Sequence, residues 1–118
     1  MTNIAVFASG NGSNLGALIR AVESGELHAQ IKLVVSDNPE AYCLERARKA
    51  RLSCFMFYPH MYPSKAVYEE LILRQLRELN VEYIVLAGYM RLIGPTLLSA
   101  FPERIINIHP SLLPAFPG

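Results

Sequence analysis

Asn3-Ile4-Ala5-Val6-Phe7-Ala8-Ser9-Gly10-Asn11-Gly12-Ser13-Asn14 reads as a strand, a glycine turn and the opening of a helix. The architecture of the chain follows from that order. The first half is a short continuous apolar run, the pattern of a strand buried on both faces of a parallel sheet. The second half places two glycines among small polar residues. A helix then starts near Asn14, with Leu15, Leu18, Ile19 and Val22 at helical spacing and Gly25 as its stop. A strand, a glycine turn and a helix N-terminus together make an anion site, because the first helical N–H groups are free and the dipole favours negative charge. Glycine lets the main chain approach the anion with no Cβ in the way. A purely structural turn fits the same residues. Two nucleotide fingerprints do not: Leu15 stands where the third glycine of G-x-G-x-x-G belongs, with Gly16 one place late, and no Gly-Lys-Ser/Thr follows. The failed fingerprint argues against a nucleotide-dependent oxidoreductase.

Working outward, residues 31–36 predict a second strand, followed by Asp37-Asn38-Pro39-Glu40. Asn38 is expected to cap the next helix, with Pro39 at its first position and Glu40 at its positive end. That helix runs to about Arg51, and its Arg46, Arg48, Lys49 and Arg51 read as a solvated face. Asp37 ends the second strand, where a dehydrogenase would hold its ribose, and is taken here as turn chemistry. Residues 53–57 are a third strand. His60, in the loop 58–63, has no carboxylate or second histidine at ligand spacing and reads as a surface residue. Ser64 caps a long helix to about Leu79, with Val67, Leu71, Ile72, Leu76 and Leu79 as its apolar stripe. Residues 83–87 form a fourth strand ending at Gly88. The apolar segment 89–93 that follows is either a packed connector or part of a pocket. A short helix over 95–100 and a fifth strand over 104–109 complete the pattern. Alternating strands and helices imply an α/β fold: an open, mostly parallel, twisted sheet with helices on both faces, Rossmann-like. Ligands in such sheets bind beyond the carboxyl ends of the strands, near the point where strand order reverses.

The chain has 118 residues, enough for one domain with its own core. An apolar fraction of 52%, a charged fraction of 18% and a formal net charge of +1 fit a globular protein and give nucleic-acid binding little support. Cys43 and Cys54 read as free thiols, with one disulfide as the alternative. No leader is visible, and no stretch reaches the roughly 20 apolar residues that cross a bilayer. The expected location is the cytoplasm, with no membrane partner.

The last segment, Ile105-Ile106-Asn107-Ile108-His109-Pro110-Ser111-Leu112-Leu113-Pro114-Ala115-Phe116-Pro117-Gly118, carries the chemistry. Asn107 and His109 lie two residues apart and so share one face of a strand. Pro110 holds His109 in extended geometry. An amide and an imidazole side by side at a strand end can polarise a carbonyl and hold the oxyanion formed from it. A structural histidine beside a turn amide fits as well.

This tail resembles the Asn-x-His-x-Ser-Leu-Leu-Pro signature of the folate-dependent formyltransferases. Its continuation Ala115-Phe116-Pro117-Gly118 is most similar to the branch that formylates phosphoribosylglycinamide in purine synthesis. The methionyl-tRNA branch carries a basic, aromatic stretch there. Ser9-Gly10-Asn11-Gly12-Ser13-Asn14 is similar to that family's phosphate loop, and Leu86-Ala87-Gly88-Tyr89-Met90-Arg91 to its folate-pocket segment. The resemblance covers residues 3–118, with the motifs in the family's order.

The resemblance implies transfer of a formyl group from 10-formyltetrahydrofolate to the amine of glycinamide ribonucleotide, with no metal. It assigns Gly12, Ser13 and Asn14 to the substrate phosphate. Met90, Arg91, Leu92 and Ile93 would line the pterin pocket, with Asn107 also at the folate. Asn107 and His109 would be the catalytic pair. The family's folate-contacting arginine is replaced by Lys65, which keeps the charge and loses the planar fork. The chain is expected to be one formyltransferase N-terminal domain, with phosphate loop 9–14, folate segment 88–93 and catalytic motif 107–114. Relatives continue further, adding strands and an aspartate that pairs with the histidine, so the fold is expected to be C-terminally incomplete. A fragment that binds ribonucleotide and folate with little turnover is the second reading. An uncovered fifth strand would invite self-association through the sheet edge.

Overall fold

The computed structural model describes residues 1–108. Five strands form one sheet: β1 Thr2–Phe7, β2 Ala29–Ser36, β3 Cys54–Met56, β4 Tyr83–Leu86 and β5 Ile105–Asn107. Their order is β3-β2-β1-β4-β5, and all four pairings are parallel. The chain winds outward from β1 to β3, then returns to the far side of β1 for β4 and β5. Strand order therefore reverses between β1 and β4.

Helices cover both faces, as the alternation of β1 requires. Ile4, Val6 and Ala8 face α1 (Ser13–Ser24) and α2 (Tyr42–Lys49), packing with Leu15, Leu18, Cys43, Leu44 and Ala47. Ala5 and Phe7 face α3 (Lys65–Glu78) and α4 (Pro95–Ala100), packing with Tyr68, Ile72, Leu76 and Leu97. Each large side chain fully buried here contributes roughly 1.5–3 kcal/mol. One irregularity keeps β2 matched to both cores. Ile4 pairs with Ile31 and Ala5 with Leu33, so Lys32 is passed over. The extra residue turns Ile31 to the α1 side and Leu33 to the α3 side, which strict period-two alternation forbids.

Several sequence expectations are corrected. Asn38 does not cap α2, which begins at Tyr42 after Ala41. The Asn38 amide oxygen instead accepts from the Glu40 N–H (3.0 Å), and its carbonyl accepts from the Ala41 N–H (3.0 Å). The side chain closes a local turn that competes with helix. α2 ends at Lys49, because Arg51 takes a left-handed backbone with φ 60°. Ser64 does cap α3, accepting from the Val67 N–H at 3.3 Å. Val67 itself is 40% exposed, and Tyr68, Glu69 and Leu73 fill the buried face with Ile72 and Leu76. Cys43 and Cys54 are both free thiols, and burial pushes both above the ordinary thiol value. Among the described residues no helix is long and apolar enough to cross a membrane.

Candidate active site

The crevice opens where β1 and β4 end side by side. The Ser9 N–H donates to the Gly88 carbonyl at 3.2 Å, and the Met90 N–H donates to Ser9 Oγ at 2.8 Å. The loop after β1 and the segment after β4 are thus joined across the reversal point. A cavity of about 430 Å³ lies over them, lined by residues 9–14 with Ala87, Gly88 and Met90. β5 adds the third edge: Leu86 is in register with Asn107, and the Ile108 N–H donates to the Leu86 carbonyl at 3.1 Å.

In the first loop, Gly12 caps α1 in the left-handed region at φ 79°, with no side chain bonded to the helix end. The N–H groups of the first turn have no intrahelical partners. A Cβ on Gly12 would stand 2.5 Å from the Cβ of Cys43, so both backbone angle and space demand glycine. Ser13 is exposed and Asn14 half-buried at the mouth of this turn. The sequence reading missed what holds the loop from behind. Arg46, expected on a solvated face, donates from Nε to the Asn11 carbonyl (2.9 Å) and from Nη2 to the Asn11 side-chain oxygen (2.8 Å). Nothing in local composition separates Arg46 from its neighbour Arg48, which pairs with Glu45 in solvent.

The second segment is held by α3. Lys65 Nζ donates to the Leu92 carbonyl at 2.7 Å. One turn along, the Glu69 carboxylate is 3% exposed and accepts from the N–H groups of Gly94 (2.8 Å) and Leu97 (3.4 Å). A negative group thus sits at the N-terminus of α4, where the dipole favours it. Glu69 was not singled out by sequence; a lone glutamate in a helical stripe carries no signal of this. Of the four residues expected to line a pterin pocket, Met90 (81%) and Leu92 (84%) face solvent, Arg91 is half-exposed, and Ile93 packs against the core. Arg91 Nε bonds Asp37 Oδ2 at 3.1 Å, so Asp37 is more than turn chemistry; its other oxygen is buried without a partner among the described residues. Tyr89 turns inward, its ring edge-on to Phe7 at 5.2 Å. Burial, then the nearby Asp37 charge, pushes its phenol well above the ordinary value.

Asn107 is exposed at the end of β5. His109 and the rest of the motif 107–114 beyond Ile108 lie outside the described residues. The geometry gathers Gly12, Ser13, Asn14 and Met90 around one crevice and brings Lys65 to the segment 90–93.

Comparison with known proteins gives a consistent result. The model of the formyl transferase family matches residues 2–118. The chain is 52% identical to phosphoribosylglycinamide formyltransferase of Bacillus subtilis, over 100% of this chain and 60% of that protein. It is 37% identical to the Escherichia coli enzyme of the same name, over 98% of this chain and 55% of that protein. Glycinamide ribonucleotide transformylase 1 from Geobacillus kaustophilus superposes with a TM-score of 0.91 at 54% identity, covering 100% of this chain and 63% of that one. The chain therefore spans 60% and 55% of the length of the two curated relatives. With the fold, the crevice and the sequence match in agreement, this chain belongs to the formyl transferase family.

Proposed function

We propose that this chain takes part in transferring a formyl group from 10-formyltetrahydrofolate to the amine of glycinamide ribonucleotide, in the cytoplasm, with residues 1–118 as one formyltransferase N-terminal domain. The observation that carries the reading is the pair of hydrogen bonds joining Ser9 to Gly88 and Met90. They make the phosphate loop and the donor segment two walls of one crevice, so a phosphorylated amine and a formyl donor bound there would meet. The names of the relatives supply the substrate.

In the proposed reaction the amine nitrogen attacks the formyl carbon, and the carbonyl pair moves onto oxygen. Asn107 donates a hydrogen bond to that oxyanion, and His109 stabilises or protonates the tetrahedral intermediate. The bond from carbon to the folate nitrogen then breaks, and the proton lost by the amine is returned to the leaving nitrogen. Gly12, Ser13 and Asn14 hold the phosphate. Met90, Arg91, Leu92 and Ile93 offer main-chain groups to the pterin, with Lys65 fixing the Leu92 carbonyl. A formyl-transfer assay tests this: Asn107→Ala and His109→Ala should each lower turnover at least a hundredfold with little change in substrate affinity. Parental turnover in either variant would remove that residue from the mechanism.

The exposure of Met90 and Leu92 favours a second reading, a domain that binds ribonucleotide and folate with little turnover. Calorimetry showing both affinities without formyl transfer would select it. We also propose that β5 pairs with a second copy of the chain. Among the described residues it pairs with β4 alone, and Ile106 on it is 46% exposed. Concentration-dependent light scattering that Ile106→Lys abolishes would support this, and a monomer at all concentrations would refute it.

A further inference from the structure

We propose that Arg46 is a positioning residue of the phosphate loop, acting through Asn11 to keep the loop's donor side turned toward the bound phosphate. The inference rests on the phosphate reading of residues 9–14 given above. Three consecutive main-chain carbonyls of the loop are occupied from within the protein. The Gly10 carbonyl accepts from the Cys43 N–H at 3.0 Å, the Asn11 carbonyl from Arg46 Nε at 2.9 Å, and the Gly12 carbonyl from the Gly16 N–H at 2.8 Å. These bonds tie the three carbonyls to partners within the protein, while the first N–H groups of α1 have no intrahelical partner. Two of those three bonds come from main-chain groups fixed by helices α2 and α1. The middle one depends on a single side chain.

Arg46 suits that task for geometric reasons. It lies three residues after Cys43 on α2, so both point at the loop from one helix face. Its Nε and Nη2 take the Asn11 carbonyl and the Asn11 side-chain oxygen together (2.9 and 2.8 Å), which fixes both the backbone and the side chain of that residue. The guanidinium also stacks over the Tyr42 ring at 5.0 Å, which limits its rotation. Its Nη1 stands 3.1 Å from where a Cβ on Gly16 would be. The charge is thus fixed beside the first turn of α1, at the end where an anion would bind. Without Arg46, the Asn11 carbonyl is free to rotate outward and present its lone pairs to the phosphate. Lysine at this position would keep the charge but not the divergent pair of bonds.

The test is calorimetric titration of the chain with ribose 5-phosphate. Arg46→Ala should weaken binding about tenfold, Arg46→Lys by less, and Asn11→Ala by several-fold. The double variant should be no weaker than Arg46→Ala alone, because the two act as one unit. Guanidinium chloride below denaturing concentration should restore part of the affinity of Arg46→Ala, and sodium chloride of equal strength should not. A purely structural role would show in the melting temperature and give no such rescue. Parental affinity in Arg46→Ala, losses that multiply in the double variant, or absence of rescue would each overturn the assignment while the parent still binds. A parent chain that fails to bind ribose 5-phosphate would instead overturn the phosphate reading itself, and this inference with it.

Discussion

The loop after β1 and the segment after β4 face the same crevice but are held by opposite means. Residues 9–14 are secured largely through their own main chain: successive carbonyls are bonded inward, and glycine allows α2 to pack against the turn. Residues 88–94 are secured by charged side chains from elsewhere, Lys65 on Leu92, Glu69 on Gly94 and Asp37 on Arg91. The difference separates two kinds of site. A loop that binds through backbone N–H groups needs small residues and a helix start, and these are local requirements. A segment proposed to offer its edge to a heterocycle needs a rigid support, and the support here comes from residues 25 to 54 positions away. The first is sensitive to anything that adds bulk and leans on one distant charge, Arg46, whereas the second leans on three.

The sharpest way to break this contrast is Gly12→Val. A positive φ and a Cβ placed within 2.5 Å of Cys43 combine backbone strain with overpacking, and together they should cost about 4 kcal/mol. Chemical denaturation should show that loss, with ribose 5-phosphate binding abolished. A variant as stable as the parent would mean the turn is not so constrained.

Next in size is Glu69→Ala, which strands the buried N–H groups of Gly94 and Leu97 and should cost about 3 kcal/mol. Faster amide exchange across residues 90–97, with the loop 9–14 unaffected, is the expected pattern. Equal loosening of both loops would show that they are one unit rather than two.

Lys65→Met is a smaller change, about 1 kcal/mol of stability, and it distinguishes two roles for the ammonium. If Lys65 acts by anchoring the Leu92 carbonyl, affinity should fall equally for a tetrahydrofolate and for its analogue lacking the glutamate. A loss confined to the glutamate-bearing ligand would show direct contact with the ligand's carboxylate.

The smallest effect is one of pH. The half-buried Tyr89 phenol is pushed above its ordinary value of 10.0, so the folded chain keeps a proton that the unfolded chain loses. Its contribution is fully present below pH ~10 and is lost as pH rises from there toward the raised folded value. Tyr89→Phe should therefore flatten the alkaline fall in stability, and an unchanged slope would mean that Tyr89 does not cause it.

What could be read in advance followed from periodicity and local composition. The buried run 4–8, the alternation that puts helices on both faces, the Ser64 cap and the free thiols needed no knowledge of distant neighbours. Where the reading went astray, a competing contact decided. Asn38 closed its own turn instead of capping α2. Val67 fitted the helical stripe but lies at the end of α3 where little covers it, while Glu69 was drawn inside by the N-terminus of α4. The bulge at Lys32 came from the need to match two cores at once.

The chain's own residues thus determined the parallel α/β class, the strand–glycine turn–helix order after β1 and, through the resemblance of three motifs, the family. Those features are set by backbone sterics, helix-end chemistry and burial patterns within a dozen residues. Which charges support the crevice was decided by tertiary structure alone. Arg46 and Arg48 are the same residue type on the same short helix, yet one grips Asn11 and the other pairs with Glu45. A side chain's partner depends on which surface its helix face meets when the layers pack, and that is a property of the assembled sheet.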